Sequence, residues 1–588
     1  MLLRQCFRSR LVGALAFPLL VAAFGCNPFN GVTYRPGWLA YEITADKSQQ
    51  LWTSWRQQPK PELAVAATWT SGWRFSLGEG GEHLQAVFRT FVGDTVSLPH
   101  RVLQPNRALW YTRKIEFTEP GVLIINADDG AQLFIDGRQQ WRLHNHYFNI
   151  PAAGSFEITV RVLNNAMSGG LRKVSFATAA QFSSFNSQRA RWERLDDLVW
   201  RARLCHNPTD RMLEVIQEAI RDPSEIGLDR ASATWSSFPY LFGPWLARTD
   251  TESVVVRTWT EPGVVVQFSA GFSRSRMDVE MSATGPHIEF KLPNRLTADT
   301  LYYQLKAGRT VTAVYAVPLQ SKTFEFDVWA DSQSGWETFA ALVGQMREKP
   351  AAFGIAAGDL VGDGSSELEW KYFFRIGGDV FARTPYAFVP GNHDYDGYYD
   401  DLRPVFFDTF FGPAPHHRVW THGNCAFLSI DLNRAFPINL SEITSEGRWI
   451  ADQITKAAWH QANWRFLIVH HPPYSQGWFG YEGERCLRDF LSAVAADAKL
   501  DFVISGHTHD YEHLTLEHPE GSTTYLIAGG AGGSLEPEES SAQPAMDVVI
   551  KRHHTVRIRV MGDQIQVTSV GQNHEVLDSF FRKKIVPR

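Results

Sequence analysis

Apolar runs of strand length recur through residues 321–588, and helical segments lie between them. Five runs end in residues that can hold a metal ion: Asp331 with Gln333, Asp359, Asn392, His470, and His507 with His509. Alternating strands and helices predict an α/β domain, and in an open α/β sheet the carboxyl ends of the strands gather functional groups at one edge. We therefore expect these side chains to meet at one site.

The preceding residues follow other patterns. Residues 30–180 alternate apolar and polar positions, with turn residues about every 8 to 12 positions, which predicts an all-β sandwich. Residues 181–229 carry apolar side chains at helical spacing, such as Trp192, Leu195 and Val199, and predict a helical connector. Alternation returns over residues 230–320 and predicts a second β-sandwich. The fold class is therefore multidomain, with two all-β modules before a carboxyl-terminal α/β domain.

Composition supports several well-packed domains. A chain of 588 residues exceeds the size at which one hydrophobic core keeps growing. Aromatic residues make up 13% of the chain, with 20 Trp, and 20% of residues are charged, which excludes a disordered protein. The net charge of −6 gives no support for a nucleic-acid-binding surface.

Residues 1–26 are typical of an export signal. Arg4, Arg8 and Arg10 precede an apolar run that ends at Gly25 and contains no acidic residue. Cys26 after Gly25 resembles a bacterial lipoprotein cleavage site, so either a lipid anchor at Cys26 or plain secretion is expected. Beyond Cys26 the cysteines are Cys205, Cys425 and Cys486. Three cysteines without close spacing predict neither a disulfide scaffold nor a thiolate metal site.

The candidate ligands at the strand ends favour a binuclear metal site. Asp and Asn oxygens together with His nitrogens suit Fe, Mn or Zn. One central carboxylate, here Asp359, can bridge two ions about 3.5 to 4 Å apart. The sequence does not choose among these metals.

The order Asp331-Ser-Gln333, Gly358-Asp359, Gly391-Asn-His-Asp394, His470 and Gly506-His-Thr-His509 resembles the calcineurin-like metallophosphoesterases. His470-His-Pro472 is similar to the purple acid phosphatase branch. The resemblance covers residues 321–588 and implies a four-layer α/β/β/α sandwich. Two departures are notable. Gln333 replaces a histidine common at that position, and Gly362 replaces the tyrosine that colours the purple enzymes.

The resemblance also implies residue roles. Asp331, Gln333, Asp359 and His509 would bind the first of two divalent or trivalent ions, and Asp359, Asn392, His470 and His507 the second. A water held between the ions would be the nucleophile. His393 would protonate the leaving oxygen, with either Asp394 or Asp363 orienting its ring.

The two β-modules resemble a galactose-binding-like jelly roll at residues 30–180 and a fibronectin type III-like domain at residues 230–320. Trp141 or Tyr147 of the first could stack on a glycan, although the pattern favours a packing or spacing module. The expected function is hydrolysis of a phosphorylated small molecule, specifically of phosphomonoesters. Two alternatives stay open: a phosphodiesterase acting on nucleotides or lipid head groups, and a non-catalytic carbohydrate-binding surface protein.

Overall fold

The structure, a computed structural model, describes residues 47–584 except 78–92, 145, 205–208, 223, 237–238, 249–253, 293–299, 319–323, 396–402, 435 and 520. The expected export signal at residues 1–26 therefore lies outside the described residues. No helix among those described is long and apolar enough to cross a membrane.

The amino-terminal module is a β-sandwich. Its strands in the described residues are β1 (Ala67–Thr68), β2 (Trp73–Leu77), β3 (Asp94–Val96), β4 (Val102–Leu103), β5 (Arg107–Phe117), β6 (Gly121–Ala127), β7 (Ala131–Ile135), β8 (Arg138–Gln140), β9 (Arg142–His144), β10 (Tyr147–Ile150), β11 (Gly154–Asn164), β12 (Ser168–Gly169) and β13 (Leu171–Thr178). One sheet has the order β1-β13-β6-β10-β9 and the other β3-β2-β5-β11-β7-β8, while β12 pairs with β4. Alternate residues point inward, so Leu109, Tyr111, Ile158 and Val160 are buried between the sheets.

The two aromatic residues considered for glycan contact differ in exposure. Trp141 is 59% exposed, whereas Tyr147 is 7% exposed. The Tyr147 ring packs against Phe182, with ring centroids 5.3 Å apart. Tyr147 is therefore a core residue and is not available for stacking on a sugar.

Helices connect the sandwich to the rest of the chain. They are α1 (Lys47–Arg56), α2 (Ala179–Leu204), α3 (Asp210–Arg221) and α4 (Glu225–Trp235). The hydroxyls of Thr209 and Ser224 accept hydrogen bonds from Met212 N and Gly227 N and cap α3 and α4. Because Ser224 starts a further helix, helical structure continues to Trp235 instead of ending near residue 229.

The following strands form a sandwich that shares a sheet with the last part of the chain. They are β14 (Leu241–Arg248), β15 (Val254–Thr260), β16 (Val265–Gly271), β17 (Val279–Thr284), β18 (His287–Lys291), β19 (Thr300–Ala307), β20 (Thr310–Val311) and β21 (Tyr315–Pro318). Strands β16, β17 and β19–β21 form one sheet. It packs on β14, β15 and β18 through residues such as Phe268, Phe290 and Tyr303.

The carboxyl-terminal region alternates strands and helices. Its strands are β22 (Phe324–Trp329), β23 (Phe353–Ala357), β24 (Tyr386–Val389), β25 (Arg418–His422), β26 (Cys425–Ile430), β27 (Trp464–Val469), β28 (Phe502–Ser505), β29 (Tyr511–His518), β30 (Gly521–Ala528), β31 (Val548–Ile550), β32 (His554–Met561), β33 (Gln564–Gly571) and β34 (Val576–Lys583). Its α-helices are α5 (Trp336–Glu348), α6 (Glu367–Phe381), α7 (Val405–Phe411), α8 (Ser445–Ile454), α9 (Ala457–Gln461) and α10 (Arg485–Ala498).

Two large sheets dominate this region. The first has the order β18-β15-β14-β24-β23-β22-β32-β33-β34, and the second β25-β26-β27-β28-β30-β29-β31. Strand β14 joins the first sheet by pairing parallel to β24, with Ala247 opposite Tyr386. The β-module expected at residues 230–320 is thus not a separate body, because three of its strands extend the sheet of the α/β region.

The two sheets face each other, and helices cover their outer faces. Phe326, Ile355, Phe427 and Phe466 are fully or almost fully buried between the sheets. Helices α5 and α6 pack on the outer face of the first sheet, and α8 and α10 on that of the second. The central parallel strands are buried on both faces, which explains their continuous apolar runs. The four-layer α/β/β/α arrangement is confirmed.

Candidate active site

The candidate ligands lie where parallel strands of both sheets end. Asp331 follows β22, Asp359 follows β23 and Asn392 follows β24, while His470 and His507 follow β27 and β28 of the facing sheet. The φ angles of Asp331, Asp359 and His507 are 62°, 51° and 72°. Positive φ is uncommon for residues other than glycine and persists where the surroundings enforce it. The backbone therefore turns sharply at each strand end and points these side chains into one space.

Asp359, Asn392 and His470 form one group. His470 Nε2 lies 3.3 Å from Asp359 Oδ2 and 3.2 Å from Asn392 Oδ1. His470 Nδ1 lies 2.8 Å from the Ala357 carbonyl oxygen. Donation from Nδ1 to that carbonyl orients the ring so that Nε2 faces the carboxylate and amide oxygens.

Asp331, Gln333 and the two histidines of the last motif form the adjoining group. His507 N donates to Asp331 Oδ2 at 2.9 Å. His509 Nε2 lies 2.9 Å from Gln333 Nε2 and 3.9 Å from Asp331 Oδ1. The structure thus brings together all seven residues predicted as metal ligands, Gln333 included.

Close backbone packing makes this convergence possible. A Cβ atom on Gly391 would lie within 3 Å of both the carboxylate and the backbone nitrogen of Asp359. A Cβ atom on Gly506 would lie within 3 Å of Asp331 Oδ2. Glycine at these positions lets neighbouring strand ends touch the ligand carboxylates.

Burial and mutual repulsion govern the charges of the site. Burial and the neighbouring Asp359 carboxylate raise the pKa of Asp331 well above its usual value. Burial also opposes ionisation of Asp359, but the His470 and His393 imidazoles outweigh it and hold the pKa of Asp359 below its usual value. Burial lowers the pKa of His509 to about 4. Burial likewise lowers the pKa of His507, so His507 and His509 are neutral and offer lone pairs, as metal ligands must.

The donor set fits metal ions. Asp331 Oδ1, Gln333 Oε1 and His507 Nε2 are buried and have no hydrogen-bond partner among the described residues. Ligand atoms of Asp331, Asp359 and His470 lie within 4.8 Å of one another. Buried polar atoms are normally paired, so unpaired oxygens and nitrogens facing one space indicate that a cation completes the site.

His393 lies beside this cluster, but its neighbours differ from those expected. Its backbone N–H donates to Asp359 Oδ1 at 2.9 Å, and its Nδ1 lies 2.9 Å from the Gly362 carbonyl oxygen. Asp394 instead accepts from Leu360 N and Gly391 N. Among the described hydrogen bonds, the Gly362 carbonyl holds the His393 ring, and neither Asp394 nor Asp363 does. The expectation that one of these carboxylates orients the ring is therefore wrong.

Asp363 has a different local role. Its Oδ1 accepts hydrogen bonds from the backbone nitrogen and the hydroxyl of Ser365, at 2.9 and 2.6 Å. This side chain therefore shapes the turn that precedes α6.

Two residues near the site were not assigned a role from sequence. His471 is fully buried, both of its ring nitrogens are unpaired among the described residues, and it groups with His470 and His507 within 4.8 Å. The His-His-Pro sequence was the available signal for it. The Trp478 ring centroid lies 5.0 Å from that of His509, and no spacing rule predicts this contact.

Comparison with known proteins identifies the region. Residues 324–511 match the family model of the calcineurin-like phosphoesterases. The chain carries a calcineurin-like phosphoesterase domain. The matched residues contain the strand ends that bring the candidate ligands together, and the match ends just after the last motif.

Curated relatives match this phosphoesterase domain at low identity. Purple acid phosphatase 22 of Arabidopsis thaliana is 22% identical over 37% of this chain and 52% of its own length. Phosphoenolpyruvate phosphatase of Allium cepa is 25% identical over 43% of this chain and 59% of its own. The 3',5'-cyclic adenosine monophosphate phosphodiesterase CpdA of Escherichia coli is 24% identical over 30% and 61%. The chain thus spans little more than half the length of these relatives.

Among solved structures, the purple acid phosphatase PPD1 of yellow lupin (Lupinus luteus) aligns with a TM-score of 0.50. The alignment is 16% identical and covers 59% of this chain and 74% of that one. At this identity the likeness supports the fold of the phosphoesterase domain and nothing finer.

Proposed function

We propose that this protein is a binuclear metal-dependent hydrolase of phosphomonoesters. The observation that carries the proposal is the convergence of buried carboxylate, amide and imidazole groups, several of them unpaired among the described residues, at the strand ends of the phosphoesterase domain. The names of the relatives, which include phosphatases, support the same chemistry.

The two halves of the cluster would hold two ions. Asp331, Gln333, Asp359 and His509 would bind one, and Asp359, Asn392, His470 and His507 the other. Bound Fe, Mn or Zn would supply Lewis acidity and lower the pKa of a coordinated water. The protein contributes the spacing of the ligands and the hydrogen bonds, such as His470 to Ala357, that keep each imidazole in one orientation.

His393 is proposed to donate a proton to the leaving oxygen. Its Nδ1 faces the Gly362 carbonyl, so Nε2 is the nitrogen left for the substrate. Burial lowers the pKa of this imidazole, but the Asp359 and Asp129 carboxylates outweigh burial and raise it above its usual value. A protonated imidazole beside a phosphoryl site can both offset phosphate charge and act as a general acid.

A phosphodiesterase is the second candidate, because a bacterial cyclic nucleotide phosphodiesterase is among the relatives. Hydrolysis rates of an aryl phosphate and a bis-aryl phosphate, measured with the metal-loaded protein, separate the two. We expect the monoester to be preferred. Export, lipidation at Cys26 and glycan contact through Trp141 stay predictions.

The site assignment is tested by Asn392→Ala and His507→Ala. Each variant should fold, bind less metal and lose hydrolysis, because each removes a ligand from the same ion. The control is Trp141→Ala, an exposed position, which should change neither property. Near-wild-type turnover in both ligand variants would refute the assignment.

A further inference from the structure

The segment from Trp478 to Tyr481 covers the histidines of the last motif. The Trp478 ring centroid lies 5.0 Å from that of His509 and 5.4 Å from that of His507. The Tyr481 ring lies 5.4 Å from that of His507. Tyr481 N donates to the Trp478 carbonyl at 3.1 Å, which closes the segment into a tight turn. Two aromatic rings therefore form one wall of the candidate active site.

Trp478 has a buried donor without an acceptor. The side chain is 8% exposed, and its indole nitrogen has no hydrogen-bond partner among the described residues. Leaving a buried N–H unpaired is unfavourable, because the group has lost its hydrogen bonds to water without gaining another acceptor. Trp420 has a similarly unpaired N–H, but it packs in the core between the two sheets. Trp478 differs because it lies beside two candidate metal-binding histidines, where a bound substrate could accept a hydrogen bond from its indole N–H.

The amino-terminal β-sandwich supports the other side of this wall. Ala166 and Met167 pack against Trp478 and Tyr481. A Cβ atom on Gly480 would lie within 3 Å of the Leu103 side chain, so the sandwich also touches the tip of the turn.

Hydrogen bonds fix this contact. Asn106 Nδ2 donates to Glu484 Oε2 and to the Ile438 carbonyl, both at 3.1 Å, and Asn106 Oδ1 accepts from Ile438 N at 2.8 Å. Glu484 Oε1 in turn accepts from the Tyr481 hydroxyl at 3.0 Å. The sandwich is thus joined through Glu484 to the same aromatic turn.

The loop that carries Met167 is itself held in place. Asn164 Nδ2 donates to the Met167 carbonyl at 3.2 Å. Asp129 Oδ2 accepts from Asn165 N at 2.7 Å. These contacts within the sandwich make the loop a defined support for the Trp478 ring.

We propose that Trp478 is a substrate-binding residue whose indole N–H donates to a non-bridging phosphoryl oxygen, and that the β-sandwich holds it in position through Met167. The inference rests on the proposed function. A phosphoryl oxygen is a charged acceptor, and hydrogen bonds to charged groups are the stronger ones. The amino-terminal module is then part of the active site, independent of any glycan contact at Trp141.

The test is Trp478→Phe, which keeps an aromatic ring and removes the N–H, with Trp420→Phe as the matched control. Binding of inorganic phosphate to the metal-loaded proteins is measured by calorimetry, together with metal content. We expect Trp478→Phe to retain both metals and to raise the phosphate Kd by about tenfold or more, and Trp420→Phe to leave it unchanged. An unchanged Kd, or loss of metal, in Trp478→Phe overturns the inference.

A double-mutant cycle tests the role of the sandwich. Met167→Ala should raise the phosphate Kd in the wild-type background and add nothing in the Trp478→Phe background, because both changes act through one hydrogen bond. Losses that add independently would overturn the positioning role. Failure of the metal-loaded wild-type protein to bind phosphate or hydrolyse a monoester would refute the proposed function itself.

Discussion

Replacing Gly391 by alanine should reduce metal binding far more than it reduces folding stability. In Gly391→Ala the new Cβ atom would lie within 3 Å of both the Asp359 carboxylate and the Asp359 backbone nitrogen. Contacts this short would be steric clashes, and a backbone atom, unlike a side chain, cannot relieve a clash by changing rotamer. The two strand ends must therefore move apart, and Asp359, the carboxylate proposed to bridge the ions, must move with them.

The size of the effect follows from this displacement. Inserting a methyl group into a packed region costs about 1–3 kcal/mol, which for a domain of this size lowers the Tm by about 2–4 °C for each kcal/mol. A displacement of about 1 Å at a reacting centre costs on the order of 100-fold in rate. We expect a modest loss of stability and a large loss of metal affinity and turnover.

Two glycines of helix α6 provide matched controls. A Cβ atom on Gly377 would lie within 3 Å of the buried Phe381 ring, whereas one on Gly378 would meet nothing closer than the Gly243 carbonyl at 3.9 Å. Gly377→Ala should therefore lose stability and keep the metals. Gly378→Ala should keep both and gain up to about 1 kcal/mol from helix propensity.

The assay is thermal melting with and without a chelator, combined with metal analysis. Bound metal stabilises only the folded state, so a chelator should lower the Tm of the wild-type protein and of both helix variants. The Tm of Gly391→Ala should not respond. The reasoning fails if Gly391→Ala binds two ions as tightly as the wild-type protein, or if Gly377→Ala loses them.

Three further predictions concern other contacts. Arg375 is fully buried and pairs with Asp197 at 2.6 Å and Asp196 at 3.6 Å, so Arg375→Met should cost about 3–5 kcal/mol of unfolding free energy. The control Arg276→Met, which breaks an exposed pair, should cost less than about 1 kcal/mol. Similar losses for the two variants in urea unfolding would contradict this prediction. Burial raises the pKa of Glu484 from 4.5 to about 7, although the Tyr481, Arg488 and Asn106 side chains lower it. The folded protein therefore holds the Glu484 proton more tightly than the unfolded chain does. The stability that this proton contributes is fully present below pH 4.5 and is lost as the pH rises through about 7. Glu484→Gln should gain about 2–3 kcal/mol relative to the wild-type protein between pH 5 and pH 8, and a pH-independent difference would refute the assignment. His393→Ala should keep both metals and lower turnover by ~10²–10⁴-fold. The loss should be smaller for a nitrophenyl ester than for an alkyl ester, because a nitrophenolate leaves without needing a proton. An equal loss for both esters would indicate charge stabilisation instead of proton donation.

The sequence by itself determined the architecture of the phosphoesterase domain and which residues are candidate metal ligands. Strands β22, β23 and β27 are buried on both faces, so each had to be a continuous apolar run visible without a structure. The candidate ligands come directly after these runs, and the carboxyl ends of parallel strands share an edge. Local pattern was therefore sufficient to predict that Asp331, Asp359 and His470 would meet.

The contacts that orient and enclose the site were decided by tertiary structure. The Gly362 carbonyl that holds His393 is a backbone atom, and every residue carries the same group, so no side-chain pattern marks it. Asn106 and Glu484 are 378 positions apart, and Ala247 pairs with Tyr386 across the shared sheet. Such long-range pairings depend on how distant surfaces of the folded chain fit together, and no local pattern encodes that fit. The sequence alone therefore predicted two separate β-modules. In the fold, the second module joins the central sheet and the amino-terminal module packs against the candidate active site.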